Sequence, residues 1–486
     1  MRNHSELRLN LCLSGYVVVL MLFCVLSSPL INRAATDSSV FITMGRAMLQ
    51  GKVMYRDVFD HKGLYLYFLN ALAALLTGKS LLGLFIIECV FMFMCARMVL
   101  AVLSRYADGV TAFIGTQIFL LVVCQRYAIE GGNLTEEYSL MFQVCAVWLL
   151  VKDNGRHSCS MMMLQGILAG IVLCIRANMI MMWGGIALVA GIDMLIHRDY
   201  RKLAGNIASG IAGMIVALMP VVAYVAANDS LSETLFGMFG YNMMYMNHGA
   251  GTFIIRIASV MLNRQKLLLV CLLALSTLIM LRKCRKNPLY PYYWAMLIFS
   301  VVSVCLSGRG YGHYQEYLMP FVLPFAYEAA SRIPKTKHKH VIAGLLVMTV
   351  LLGFRPPEFV RLMFGRQALS LDEFVRCNEP YSSEDERVLV SRNYAAMYVV
   401  LGVTPREKYF YVPATEYEAF PDPIDSQVSS ILSGVNDVIV IKYKDDERDI
   451  YPESGRRGEI KAFLEENYNL LCYDEREKLA MFGRKR

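Results

Sequence analysis

The chain's 486 residues are 56% hydrophobic and only 18% charged, with a mean hydropathy of +0.42. No ordinary soluble domain of this length is so apolar, which leaves a polytopic membrane protein as the class. A net charge of +8 would suggest nucleic acid in a soluble protein, but here the basic residues gather in short loops between apolar runs, where membrane topology explains them better.

The first apolar run, Leu11 to Ile31, lacks a small-residue cleavage site and is followed by many others, so it reads as a retained span. Just beyond it, Asp37 stands in "AATDSSVF". It either caps the helix that follows or serves as a general base, a carboxylate in an outer-leaflet cavity that accepts a proton from a hydroxyl nucleophile. The stretch "MYRDVFDHKGLYLYF" then packs Arg56, Asp57, Asp60, His61 and Lys62 into seven residues ahead of the short apolar run Leu64 to Gly78. Cations at that depth meet lipid phosphate, or else snorkel to the interface. Asp57 and Asp60 supply partners for Arg56 and Lys62.

Apolar runs of bilayer length, about 17 to 25 residues each, centre near residues 21, 91, 117, 145, 168, 188, 215, 273, 298, 322 and 347. Eleven spans with a cytoplasmic N-terminus put the basic loops "HRDYRK", "RKCRK" and "SRIPKTKHKH" inside. Letting Leu64 to Gly78 cross would invert that, so it is expected to be a juxtamembrane or re-entrant helix on the outer side.

Further along, "RYAIEGGNLTEEY" presents Glu136 and Glu137 at a helix start, where they cap or where one of them, Glu136 preferentially, faces a cavity. Arg176 ends the span "GILAGIVLCIRAN" and must snorkel or pair. "GILAG" itself is a small-xxx-small helix contact. "SGRGYGHYQEYLMP" brings Arg309, His313 and Tyr314 into a glycine-punctuated outer loop as phosphate or sugar contacts, or as part of an interfacial aromatic belt. Residues 1–368 thus read as the membrane domain. Residues 369–486, with strand-like "RVLVS" and "DVIVIK" and helix-like "GEIKAFLEENY", read as a small extracytoplasmic α/β domain. Most of the 13 cysteines lie in apolar segments as small hydrophobes, with neither metal spacing nor a disulfide framework.

The constellation resembles the GT-C membrane glycosyltransferases, relatives of protein O-mannosyltransferases and lipid A aminoarabinose transferases. The likeness rests on Asp37 soon after the first span, on "GRAMLQGKVMYRDVFDHKG" ahead of an apolar helix, and on "GGNLTEE", "GILAGIVLCIRAN" and "GYGHYQEYLMP", covering residues 11–355. One departure is Gly63, where that family usually has proline before the apolar helix.

The resemblance implies sugar transfer from a polyprenyl-phosphate carrier to a glycan, lipid or protein of a bacterial cell envelope, on the outer face of the plasma membrane. Asp37 and Glu136 would be catalytic. Lys62, Arg56, His61, Arg309 and His313 would hold the donor phosphate, and Asp57, Asp60, Tyr314 and Arg176 would contact substrate. No cofactor is implied, and a divalent metal is possible but not required, since cations suffice to stabilise a phosphomonoester leaving group. The alternative is a transporter or flippase of a lipid-linked or anionic substrate; a transferase is expected to keep its donor site when the C-terminal domain is deleted.

Overall fold

A computed structural model of the chain describes residues 2–247, 267–306, 311–353, 369–382, 387–392, 394–443, 451–475 and 478–485. Arg309 lies outside the described residues.

The membrane part is helical: α1 (Arg2–Cys24), α2 (Thr36–Leu49), α3 (Leu64–Thr77), α4 (Leu82–Leu103), α5 (Gly109–Val123), α6 (Thr135–Asp153), α7 (Cys159–Leu173), α8 (Met181–Ile196), α9 (Tyr200–Asn228), α10 (Leu267–Lys283), α11 (Tyr290–Leu306), α12 (Leu323–Ser331) and α13 (His338–Gly353). Among the described residues four segments, Glu6–Cys24, Leu82–Leu103, Ala177–Ile196 and Tyr200–Asn228, are long and apolar enough to cross a bilayer. The chain is a membrane protein. On α9, Ile207, Ile211 and Ile215 repeat every fourth position and are exposed, as a lipid-facing stripe requires. The opposite face packs on α7 through glycine: a Cβ on Gly166 would lie 2.0 Å from the Gly210 carbonyl oxygen. The small-xxx-small contact in "GILAG" is therefore real, and its absence of side chains lets two backbones touch.

α3, at 14 residues, is about 21 Å long, well short of the hydrocarbon core. It lies against α2, and their shared apolar cluster of Val40, Phe41, Met44, Leu66 and Tyr67 continues into the C-terminal segment through Val388, Phe410 and Val440.

After α14 (Leu369–Asn378) come β1 (Val388–Val390), α15 (Ala396–Leu401), α16 (Asp422–Leu432), β2 (Val438–Lys442), α17 (Arg457–Asn467), β3 (Tyr468–Asp474) and β4 (Leu479–Arg484). They form one sheet of order β1-β2-β4-β3, parallel between β1 and β2 and antiparallel elsewhere. The alternation in "VIVIK" decides its two faces. Val438 and Val440 join the cluster on α2 and α3, while Ile439 and Ile441 pack with Val428 of α16 and Leu464 of α17.

Candidate functional site

Between α2, the loop before α3, the end of α7 and the chain around Tyr311 to Tyr314 lies a cavity of about 600 Å³. Asp37, Asp60, His61, Lys62, Arg176, His313 and Tyr314 all line it. Seven of the residues singled out in the sequence therefore share one space. Asp57, Arg56 and Glu136 are not among its lining residues.

Asp37 sits in the first turn of α2, exposed to the cavity; the N-cap is Ala35, without a side-chain cap bond. The capping expectation for Asp37 is thus corrected, because the helix begins two residues too early for Asp37 to be its N-cap. Among the described residues the Asp37 carboxylate accepts no hydrogen bond. Its neighbour Ser38 is held instead: Asn133 donates from Nδ2 to Ser38 Oγ (2.9 Å) and to Asn70 Oδ1 (2.9 Å), and Tyr138 donates to Asn133 Oδ1 (2.8 Å). This buried knot pins the first turn of α2 to α3 and α6 and leaves the acid beside it free.

The charged cluster before α3 divides in two. Asp57 accepts from the Val53 N–H at 2.7 Å and pairs with Arg56 at 3.3 Å, while Arg56 donates to the Asn228 carbonyl at 3.0 Å. Arg56 and Asp57 therefore tie the loop to the end of α9. Neither Arg56, expected at the phosphate, nor Asp57, expected at substrate, lines the cavity.

Asp60, His61 and Lys62 turn inward as a relay. The Lys62 ammonium donates to His61 Nε2 at 2.6 Å, and His61 Nδ1 faces Asp60 Oδ1 at 3.2 Å. Asp60 is buried and accepts the Tyr67 hydroxyl at 2.8 Å and the Tyr411 hydroxyl. An imidazole that accepts at Nε2 carries its proton on Nδ1, so the Asp60 carboxylate selects the tautomer that receives Lys62. Burial alone would raise the Asp60 carboxyl, but the hydrogen bond and charge of His61 and the charge of Lys62 outweigh it and hold it well below the usual carboxylate range. Burial lowers His61, reinforced by the Lys62 charge and opposed by the hydrogen bond and charge of Asp60. Burial also lowers the Lys62 ammonium, opposed by Asp60, Asp37 and Glu136 and assisted by Arg176.

Gly63 explains the departure from proline. Its N–H donates to the Ile175 carbonyl at 2.9 Å, and a Cβ there would lie 2.0 Å from the Cys174 carbonyl oxygen. Proline has neither the hydrogen nor the room.

Across the cavity, Arg176 pairs with the buried Glu136 and stacks over the Tyr314 ring, 4.6 Å from its centre. Glu136, expected to be catalytic, thus backs Arg176 from behind the cavity wall. His313 accepts the same support. Its backbone N–H donates to Glu130 Oε1 (3.1 Å), its Nδ1 meets Glu130 Oε2 (2.8 Å), and its Nε2 lies 3.9 Å from Glu136 Oε1.

Glu130 and Tyr411 also line the cavity and escaped the sequence reading. Glu130 stands in the quoted "RYAIEGGNLTEEY", and its acidic side chain before two glycines was a usable signal. Tyr411, far away in the C-terminal segment, offered none. The backbone there follows its side chain: the Phe59 N–H donates to the Lys408 carbonyl at 2.9 Å, and Phe59 packs with Tyr241, Tyr409 and Phe420. Among the described residues no group of three or more His, Cys, Asp or Glu is arranged to hold a metal ion.

This fold is similar to that of solved membrane glycosyltransferases. ArnT from Cupriavidus metallidurans bound to undecaprenyl phosphate is similar over 98% of both chains, at 12% identity and a TM-score of 0.66. Its apo state matches at 12% identity and 0.65, covering 99% of this chain and 98% of that one. The arabinofuranosyltransferase AftD from mycobacteria is similar over 99% of this chain and 40% of its own, at 12% identity and 0.52. By sequence, residues 3–341 match the profile of the putative competence-induced protein Ccs4 N-terminal domain, and the chain belongs to that family. No curated protein matches it in sequence.

Proposed function

We propose that the chain transfers a sugar from a polyprenyl-phosphate-linked donor to a cell-envelope glycan, lipid or protein on the outer face of a bacterial plasma membrane. The observation that carries the reading is one cavity, in a GT-C fold, holding an unencumbered carboxylate at Asp37 and a relay-supported ammonium at Lys62. That the ArnT structure is described with undecaprenyl phosphate bound supports a lipid-phosphate donor.

In this mechanism the donor phosphate sits against Lys62, with Arg176 as the second cation, and His61 and His313 beside them. Charge that develops on the leaving phosphate meets fixed positive groups in a poorly solvated space, so no reorganisation is needed as the bond breaks. Asp37 accepts the proton of the acceptor hydroxyl while its oxygen attacks the anomeric carbon. A single displacement inverts configuration, and the phosphomonoester left behind needs no divalent ion beyond the side-chain cations.

Eleven spans, a cytoplasmic N-terminus and an extracytoplasmic C-terminal domain fit this chemistry, because a lipid-linked sugar presents its phosphate at the headgroup level where Lys62 is proposed to lie. The test is transfer of radiolabelled sugar from purified polyprenyl-phosphate sugars to envelope acceptors. Wild type is expected to transfer, with Asp37→Asn and Lys62→Ala folded but inactive. Normal transfer by both variants overturns the roles; failure of wild type with every donor favours a transporter.

A further inference from the structure

The C-terminal segment 369–486 contains two cysteines, Cys377 and Cys472, whereas the other eleven of the 13 lie in the helical part. They are separated by 472 − 377 = 95 positions, and no spacing rule connects them. The fold does. Cys377 ends α14 and Cys472 lies on β3, the edge strand that pairs through β4.

Between Leu470 and Cys472 the β3–β4 register shifts by a bulge, so Leu471 falls out of the ladder. Its carbonyl turns to α14, where the Cys377 thiol donates to it at 3.7 Å. The bulge thus sets Cys472 next to the carbonyl that the Cys377 thiol meets, and the two thiols interact. Cys472 is buried at 7% exposure and Cys377 is half-buried. Cys377 is thus the more exposed of the two and Cys472 the more buried.

We propose that Cys377 and Cys472 are an oxidation site that closes to a disulfide in the membrane-bound protein. The inference rests on the extracytoplasmic placement proposed above for this segment, where thiols are oxidised rather than kept reduced, and not on the transfer chemistry. The reagent is a disulfide-bearing thiol oxidoreductase of the envelope. The more exposed Cys377 attacks its disulfide and forms a mixed disulfide. Cys472 then displaces the oxidoreductase, and the Cys377–Cys472 bond forms. Two thiol protons and two electrons leave this protein as the oxidoreductase's S–S bond opens to a dithiol. Burial raises the Cys472 thiol, which fits the order of the two steps: the buried sulfur is the poorer first nucleophile.

The other hydrogen-bonded pair, Cys24 with Cys124, is a control set by the same fold. Both are buried within the apolar helical bundle at 4% and 7% exposure, so no protein reagent reaches them. Two sulfurs are also too few for a structural zinc site, which takes four ligands.

The bond has a consequence for the cavity. α14 packs Phe374 into the same apolar cluster as Phe410 and Tyr411. Fastening α14 to β3 joins the stretch that follows the last membrane helix to the sheet, and so restrains the segment that delivers Tyr411.

The experiment uses full-length protein in its native membranes. Free thiols are trapped with N-ethylmaleimide before solubilisation, and tryptic peptides 377–387 and 462–476 are mapped by mass spectrometry with and without reductant. A linked pair recovered without reductant, lost with it, and absent from Cys377→Ser and Cys472→Ala supports the proposal. Quantitative alkylation of both cysteines in wild type overturns it. Linkage that appears only after oxidised dithiothreitol is added to purified protein also overturns the native bond, although the thiols then meet as described.

Discussion

The Tyr411 hydroxyl donates to the Asp60 carboxylate across 351 positions of sequence. Through Asp60 it reaches His61 and Lys62, so the C-terminal segment contributes to the floor of the cavity. Deletion of residues 369–486 takes this hydroxyl away, so a weakened donor site is the expected outcome rather than an intact one. Tyr411→Phe removes a hydrogen bond to a charged acceptor, a loss of about 1.5–3 kcal/mol, or about 10- to 100-fold in donor KM or kcat/KM. An unchanged KM for the polyprenyl-phosphate sugar would sink this role.

Lys62 titrates below its ordinary value of 10.5 because burial disfavours the ammonium. Donor binding is then expected to weaken as pH rises through that lowered value, earlier than a surface lysine would allow. Lys62→Arg keeps its charge throughout. A pH profile of kcat/KM in which the alkaline limb persists unchanged in the arginine variant argues against Lys62 as the phosphate cation.

Asp60 gives the opposite limb. Its folded-state value lies below the ordinary 3.8, so its contribution to stability is fully present above the unfolded value and is lost as pH falls through the folded one. Asp60→Asn is expected to flatten the acid side of a stability-against-pH curve. A curve with the wild-type acid slope would contradict that assignment.

Among the described residues Asp37 makes no hydrogen bond that holds the fold together, whereas it faces the cavity. Asp37→Asn is expected to leave the melting temperature unchanged and to lower kcat by about 10²- to 10⁴-fold. Comparable losses of stability and activity would point to a structural carboxylate instead.

Arg176 and Glu136 are a buried pair, at 15% and 2% side-chain exposure. Arg176→Ala leaves a carboxylate without its cation and is expected to cost about 3–5 kcal/mol. Adding Glu136→Gln should recover much of that stability but none of the transfer. If the double variant is no more stable than Arg176→Ala, the two residues do not act as a pair.

At Gly63 the fold tolerates no side chain, since a Cβ meets the Cys174 carbonyl oxygen. Gly63→Ala is expected to destabilise by about 1–3 kcal/mol, and Gly63→Pro by more, because it also removes the bond to Ile175. Thermal unfolding in detergent measures both, and a wild-type transition in Gly63→Pro would show that the loop backbone is not constrained as described.

Much of this protein was legible before folding. Composition determined the membrane class, because apolar content is a property of each residue in turn. Periodicity marked the helices and the strands "RVLVS" and "DVIVIK", since side-chain alternation is local to a few residues. The density of charge before α3 marked the cavity, and so did Asp37, Arg176 and His313. What the chain order could not say is which way each charge turns. Arg56 and Asp57 face the end of α9 while Asp60, His61 and Lys62 face inward, although all five lie within seven residues. That choice follows from how the loop is gripped by Tyr67, Tyr411 and Asn228, which come from three separate elements. Glu136 behind Arg176, Tyr411 under Asp60 and Cys377 beside Cys472 were likewise decided only by tertiary packing, because a contact between distant residues depends on where helices and sheet are set against one another, and no local pattern carries that.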